Sequence, residues 1–79
     1  MATSNAWVVL EQSDVNIAIN RHRQNDWGDL CKEDWQLNDA ALIHGGRLFS
    51  VYHSAKGHKF YVITEADNSA TTLLLPEDY

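Results

Sequence analysis

The residues of this chain that could do chemistry are eleven carboxylates, four histidines and one cysteine. The carboxylates are segregated. Asp26, Asp29, Glu33, Asp34 and Asp39 crowd one short stretch, opposed there only by Lys32. Glu65, Asp67, Glu77 and Asp78 crowd the end of the chain, where no base accompanies them. The span from Ala40 to Thr64 holds Arg47, Lys56 and Lys59 and no acid. Carboxylates held apart on a rigid element can stand in for phosphates. They draw Lys- and Arg-lined grooves by long-range attraction and then occupy them. Both clusters are therefore candidate partner-binding residues.

Other chemistries find less support. A metal site needs ligands at set spacings, and the chain has no paired cysteine, no His-x-x-x-His on a helix and no calcium loop. His53 and His58 flank a short loop and could face each other across it, but two histidines alone make a weak surface site. Cys31 would need a neighbouring base and a lowered pKa to act as a nucleophile. Its alignment with Trp35 and Leu42 suggests a small core residue instead. No serine or oxyanion motif accompanies His44 and Asp39. Glu33 and Asp34 are adjacent, so on a helix they diverge by about 100° and cannot share a proton. Gly45-Gly46 is better explained as a helix stop than as a phosphate cradle. No catalytic residue, metal or cofactor is expected, and a non-enzymatic protein is.

The elements that must carry these residues can be read from periodicity. Ala6 to Leu10 is apolar and β-branched, readable as a short N-terminal strand or as the lead-in to a helix capped at Ser13 or Asp14. Val15, Ala18, Ile19 and His22 then stand at i, i+3, i+4 and i+7, an inward helical face. Turn formers from Asn25 to Asp29 break it. Asp29 is placed to cap a second helix, with Glu33 and Asp34 favouring its positive end. That helix carries stripes of Leu30, Leu37 and Ala41 and of Cys31, Trp35 and Leu42, and stops at Gly45-Gly46. Beyond, the period changes to two. Arg47 to Ser54, His58 to Glu65 and Ala70 to Leu75 read as strands, joined by turns at Ala55-Lys56-Gly57 and at Ala66 to Ser69. On the first strand Phe49 and Val51 share one face and Leu48 and Tyr52 the other. The expected fold is α+β, with two helices packed on a three-stranded antiparallel meander. Met1 to Asn5 read as a loose end, and Pro76 to Tyr79 as a short docking tail set against the fraying usual at chain ends. Trp27 reads as a core edge, and Tyr79 as an aromatic anchor beside acids.

Length and composition set bounds. Seventy-nine residues, 44% of them hydrophobic, make one small folded domain spanning residues 1–79. A formal net charge of −5 disfavours direct nucleic-acid binding and favours a basic protein partner. A single cysteine fits a reducing cytoplasm. No apolar run approaches the ~20 residues of a membrane span. A cytoplasmic monomer with no membrane contact is expected.

A set of stretches carries a resemblance. They are Arg21-His22, Asp26 to Cys31 (DWGDLC), Glu33-Asp34, Asn38 to Leu42 (NDAAL), Gly45-Gly46-Arg47, Val62 to Asp67 (VITEAD) and Leu73 to Tyr79 (LLLPEDY). Together they resemble a family of small plasmid-related proteins carried on plasmids, integrative elements and prophages. The likeness covers about residues 21 to 79. The first twenty residues depart from the longer, helix-forming N-terminal segment usual in the family. The chain is also similar to type I-C anti-CRISPR proteins that mimic DNA. That resemblance implies a bacterial host cell and a Cascade surveillance complex as partner, bound through its basic nucleic-acid-binding subunits. It implies Asp26, Asp29, Glu33, Asp34 and Asp39, with Glu65, Asp67, Glu77 and Asp78, as the binding set. A second expectation is an accessory or regulatory module of a plasmid or restriction-modification system, binding a protein through the sheet or the hairpin at Ala55 to Gly57.

Overall fold

A computed structural model describes residues 2–67 and 69–79. In chain order the elements are α1 (Ser4–Val9), α2 (Gln12–Arg23), α3 (Lys32–His44), β1 (Leu48–His53), β2 (Lys59–Thr64), β3 (Thr71–Leu74) and a short 3-10 turn (Pro76–Asp78). The strands form one antiparallel sheet in the order β1-β2-β3. Tyr52 stands opposite Phe60, Val62 opposite both Ser50 and Leu73, and Thr64 opposite Leu48 and Thr71. The α+β class and the meander hold, and so does the period-two reading of β1. Met1 and Asn68 lie outside the described residues.

One sheet face carries Tyr52, Phe60, Val62 and Leu73, and it buries Ala6 and Leu10 from the α1 segment and Ala18 from α2. Val15 and Ile19 pack at the edge of that core, and His22 is buried, so the inward face read from α2 is correct. Val62 has no exposed surface and Phe60 almost none. Burial of such side chains stabilises by about 1.5–3 kcal/mol each and is the main attraction in a domain this small.

Ala6 to Leu10 is not a strand. Thr3 caps α1, its Oγ1 accepting from the Ala6 N–H at 3.3 Å, and the helix ends at Leu10. A strand would turn Val8 to the same face as Ala6 and Leu10, whereas the helix buries Ala6 and Leu10 and leaves Val8 exposed. Tertiary burial thus overrides the β preference of the two valines. Nor is Met1 to Asn5 a loose end throughout: Ala2 forms a bridge with Leu73, and the Thr3 N–H donates to the Leu73 carbonyl at 3.0 Å. The proposed cap at Ser13 or Asp14 is also displaced. α2 begins at Gln12, and Asp14 accepts from the Glu11 N–H at 3.1 Å and the Ala55 N–H at 3.0 Å. Asp14 thereby fastens the start of α2 to the hairpin.

The sheet has two outer edges, and both are partly covered. Unpaired edge groups invite association with other chains. At β3 the cover is Ala2 and Thr3. At β1 it comes from two sources. The Val51 N–H donates to the Trp27 carbonyl (3.1 Å), and the Val51 carbonyl accepts from the Asp29 N–H (2.9 Å). The Phe49 N–H donates to Asn38 Oδ1 (3.1 Å), and Asn38 Nδ2 donates to the Phe49 carbonyl (2.5 Å). Asn38 is the buried residue of α3. α3 therefore meets the sheet at the outer edge of β1 through a polar side chain, not on a sheet face through leucines. Leu37, Leu42 and Ile43 are exposed. Among the described residues no buried side-chain nitrogen or oxygen lacks a partner. No helix among them is long and apolar enough to cross a membrane.

Candidate functional site

The acids of the sequence divide by what holds them. Asp26 accepts from Arg21 Nε at 2.9 Å and from the Gly28 N–H at 3.3 Å. The Arg21 hydrogen bond holds its carboxyl below the usual carboxylate range. Its backbone carbonyl accepts from the Tyr52 hydroxyl at 2.5 Å. Asp39 accepts from Trp27 Nε1 at 3.2 Å, which ties α3 to the buried indole. Glu65 lies 3.6 Å from Arg47. Asp67 accepts from the Ser69 N–H at 3.0 Å. Asp78 accepts from Thr3 Oγ1 at 2.7 Å and Asn5 Nδ2 at 2.8 Å, bonds that hold its carboxyl below the usual range. The two ends of the chain are thus joined, and these bonds oppose the fraying usual at chain ends.

Asp29 does not cap α3. The helix starts at Lys32 behind Cys31, and Asp29 Oδ2 lies 2.7 Å from His53 Nδ1. An exposed side-chain contact with His53 satisfies Asp29 instead, and it also disposes of the suggested His53–His58 pair: the register sets His53 opposite Lys59. Among the described residues no cluster of His, Cys, Asp and Glu could hold a metal. Cys31 is exposed, not a core residue. Trp27 goes the other way and is fully buried.

Glu33 and Asp34 lie in the first turn of α3, exposed, where they favour the helix dipole. Together with exposed Asp29 and Asp39 they make the α3 arm acidic. At about 100° per residue, Glu33, Asp34 and Asp39 point in separate directions around the helix axis. The acids surround α3 and do not line one flank. The two sequence clusters meet in part. Asp34, Arg47 and Tyr79 line one cleft, and Arg47 brings Glu65 to it. Glu77 stands elsewhere, in a groove with His58, Lys59 and Val9.

The cations are more fully occupied. Arg21, Arg47 and Lys56 sit within ion-pair reach of Asp26, Glu65 and Glu11. Lys59 lies over the Tyr61 ring, 5.7 Å from its centroid. On the α3 arm itself exposed Lys32 is outnumbered by exposed Asp29, Glu33, Asp34 and Asp39, so acids set its outward field.

Sequence reading missed a polar chain in the core. His22 Nδ1 lies 2.6 Å from Ser50 Oγ, and Nε2 lies 2.9 Å from Thr64 Oγ1, which continues to Thr71 Oγ1 at 2.9 Å. The ring also meets Trp27 edge-on at 5.4 Å. Alternation could have marked Ser50 and Thr64 as inward, since each shares a face with Tyr52 or Val62. Ser50 has no exposed surface, so this chain of hydroxyls is a fastener between α2 and the sheet.

Burial lowers the His22 pKa, because the imidazolium is poorly solvated there. The unfolded chain then binds the proton more readily than the fold. Stability is full above the unfolded value of about 6.5 and falls as pH drops below it. Melting temperature should decline between about pH 6.5 and 5, and a His22→Gln variant should lose that slope. Asp26, Asp67 and Asp78, whose pKa values are lowered, act only in the more acid carboxylate range. A flat melting profile across the histidine range would contradict this role.

Comparison with protein-family models, curated proteins and solved structures finds no match to any of them.

Proposed function

We propose that the protein is a non-enzymatic anti-CRISPR inhibitor. It places the acidic α3 arm in a basic nucleic-acid-binding groove of a type I-C Cascade complex, where target DNA would lie. One observation carries the reading. Asp29, Glu33, Asp34 and Asp39 are all exposed on a single arm, while three of the six Lys and Arg residues are spent in ion pairs within the protein. The resemblance to mobile-element proteins supports it from the sequence. Asp26, Glu65, Asp67 and Asp78 have structural partners and contribute charge at the margins. Glu77 lies apart.

Attraction between exposed charges is screened within about 10 Å at 0.1 M salt. Raising salt from 50 to 200 mM should weaken binding to purified type I-C Cascade by at least about tenfold, measured by surface-immobilised titration. Binding indifferent to salt would count against the acidic arm as the contact.

The exposed apolar residues favour a second reading. Leu37, Leu42 and Ile43 on α3 and Trp7 and Val8 on α1 are more than charge mimicry requires. They suit an accessory module that docks on a protein of a plasmid or restriction-modification system. A pull-down that recovers a restriction subunit and no Cascade component would select that reading.

A further inference from the structure

The cleft between α3 and Tyr79 has features that neither an acidic surface nor a hydrophobic core explains. It has a volume of about 290 Å³, just below the range of small-molecule pockets. Leu30, Leu37, Phe49 and Tyr79 wall it, and Asp34 and Arg47 are its charged residues. Leu37 and Tyr79 are largely exposed, at 67% and 71%. Tyr79 stands edge-on to Phe49 and to Tyr61, at 5.9 and 5.7 Å between centroids, and Phe49 and Tyr61 are themselves 5.0 Å apart. Three aromatic rings are thus gathered on the sheet face opposite the Tyr52–Val62 core, beside a carboxylate.

We propose that this cleft receives one arginine side chain of the protein's partner. The proposal rests on the reading that the partner is basic. An arginine matches the cleft part by part. Its aliphatic stem fits the Leu30 and Leu37 wall. Its flat guanidinium stacks on an aromatic face, a contact that Lys makes less well. Its charge meets Asp34, which no cation of the protein pairs among the described residues. Arg47 is the opposing feature, and its guanidinium lies 3.6 Å from Glu65, which offsets its charge. The acidic arm then supplies attraction, and the cleft supplies the anchor that fixes register.

The test uses a capped Gly-Arg-Gly tripeptide titrated into the isotope-labelled full chain, followed by nuclear magnetic resonance. Shifts should map to Leu37, Phe49 and Tyr79. The neutral citrulline analogue should bind about tenfold more weakly, the combined effect of an exposed ion pair and a cation–π contact. Arg47→Ala should tighten arginine binding by removing a like charge, and Leu37→Ala should weaken it without altering net charge. Equal binding of citrulline, preference for a Gly-Glu-Gly peptide, or shifts centred on Asp29 or Glu77 would overturn the proposal. Cascade inhibition separates it from the broader reading. Inhibition that survives Leu37→Ala and Tyr79→Ala but fails on charge reversal of the arm would leave the acidic surface standing and remove the arginine cleft.

Discussion

Replacing Gly28 with alanine should remove a large part of the protein's stability. Gly28 takes φ +76° and bridges to Val51 in a parallel pair. A Cβ there would lie 1.9 Å from the Val51 carbonyl oxygen and 2.8 Å from Tyr52 Cδ1. An alanine at positive φ costs about 1–2 kcal/mol before any contact is counted. Overpacking adds about 1–3 kcal/mol where side chains can yield, and the obstacle here is backbone. Relief would require the 27–29 segment to leave β1, which breaks the Trp27–Val51 and Asp29–Val51 hydrogen bonds and lifts the buried indole. The loss should reach about 4 kcal/mol or more, against a total of about 5–15 kcal/mol for a small domain. Urea unfolding followed by tryptophan fluorescence measures it. Gly57→Ala is the control, since Gly57 has φ +86° but nothing within 4 Å of the added carbon. It should cost only about 1–2 kcal/mol. Equal losses at the two sites would show that the close approach to Val51 does not matter.

The same segment shows where sequence was readable and where it was not. α2 was legible because its inward face repeats at helical spacing and packs on the sheet. The strands were legible because Phe49, Val51, Leu48 and Tyr52 alternate and the turns carry their own signals. Gly45 stops α3 as its type suggests, with φ +82°. What failed depended on residues distant in sequence. Gly28 read as a turn former, yet its need for glycine is set by the Val51 carbonyl. Asp29 read as a cap because its neighbours look like a helix start, and His53 claims it from across the fold. α3 read as an amphipathic helix because Leu37 and Leu42 are apolar, whereas Asn38 is the residue buried, because the β1 edge has a free N–H and C=O to satisfy. The candidate acids show the same division. Their number and segregation were visible in the chain. That Asp26 serves Arg21, Asp39 the Trp27 indole and Asp78 the N-terminal Thr3 and Asn5 depends on folding.

Reversing charge at Asp29, Glu33 and Asp34 together should abolish inhibition and leave the fold standing. All three side chains are exposed. Asp29 gives up its contact with His53, an exposed pair of the kind worth about 0–1 kcal/mol. Its N–H to the Val51 carbonyl is backbone and remains. Glu33 and Asp34 give up a favourable place at the start of α3, about 0.3–1 kcal/mol each. These losses lower the melting temperature without unfolding the protein. The effect on binding is of another size. Three lysines change the sign of the formal net charge from −5 and set like charge against a basic groove. Juxtaposed like charges in an interface cost several kcal/mol, and each ~1.4 kcal/mol is tenfold in affinity. The decisive measurement is competition: purified type I-C Cascade, labelled target DNA, and either the native chain or the Asp29→Lys, Glu33→Lys, Asp34→Lys variant at matched concentration, with circular dichroism to verify its fold. The native chain should displace the DNA, and the folded variant should fail to do so even at about a hundredfold excess. Displacement by the folded variant at the native concentration would contradict the acidic arm as the inhibitory surface.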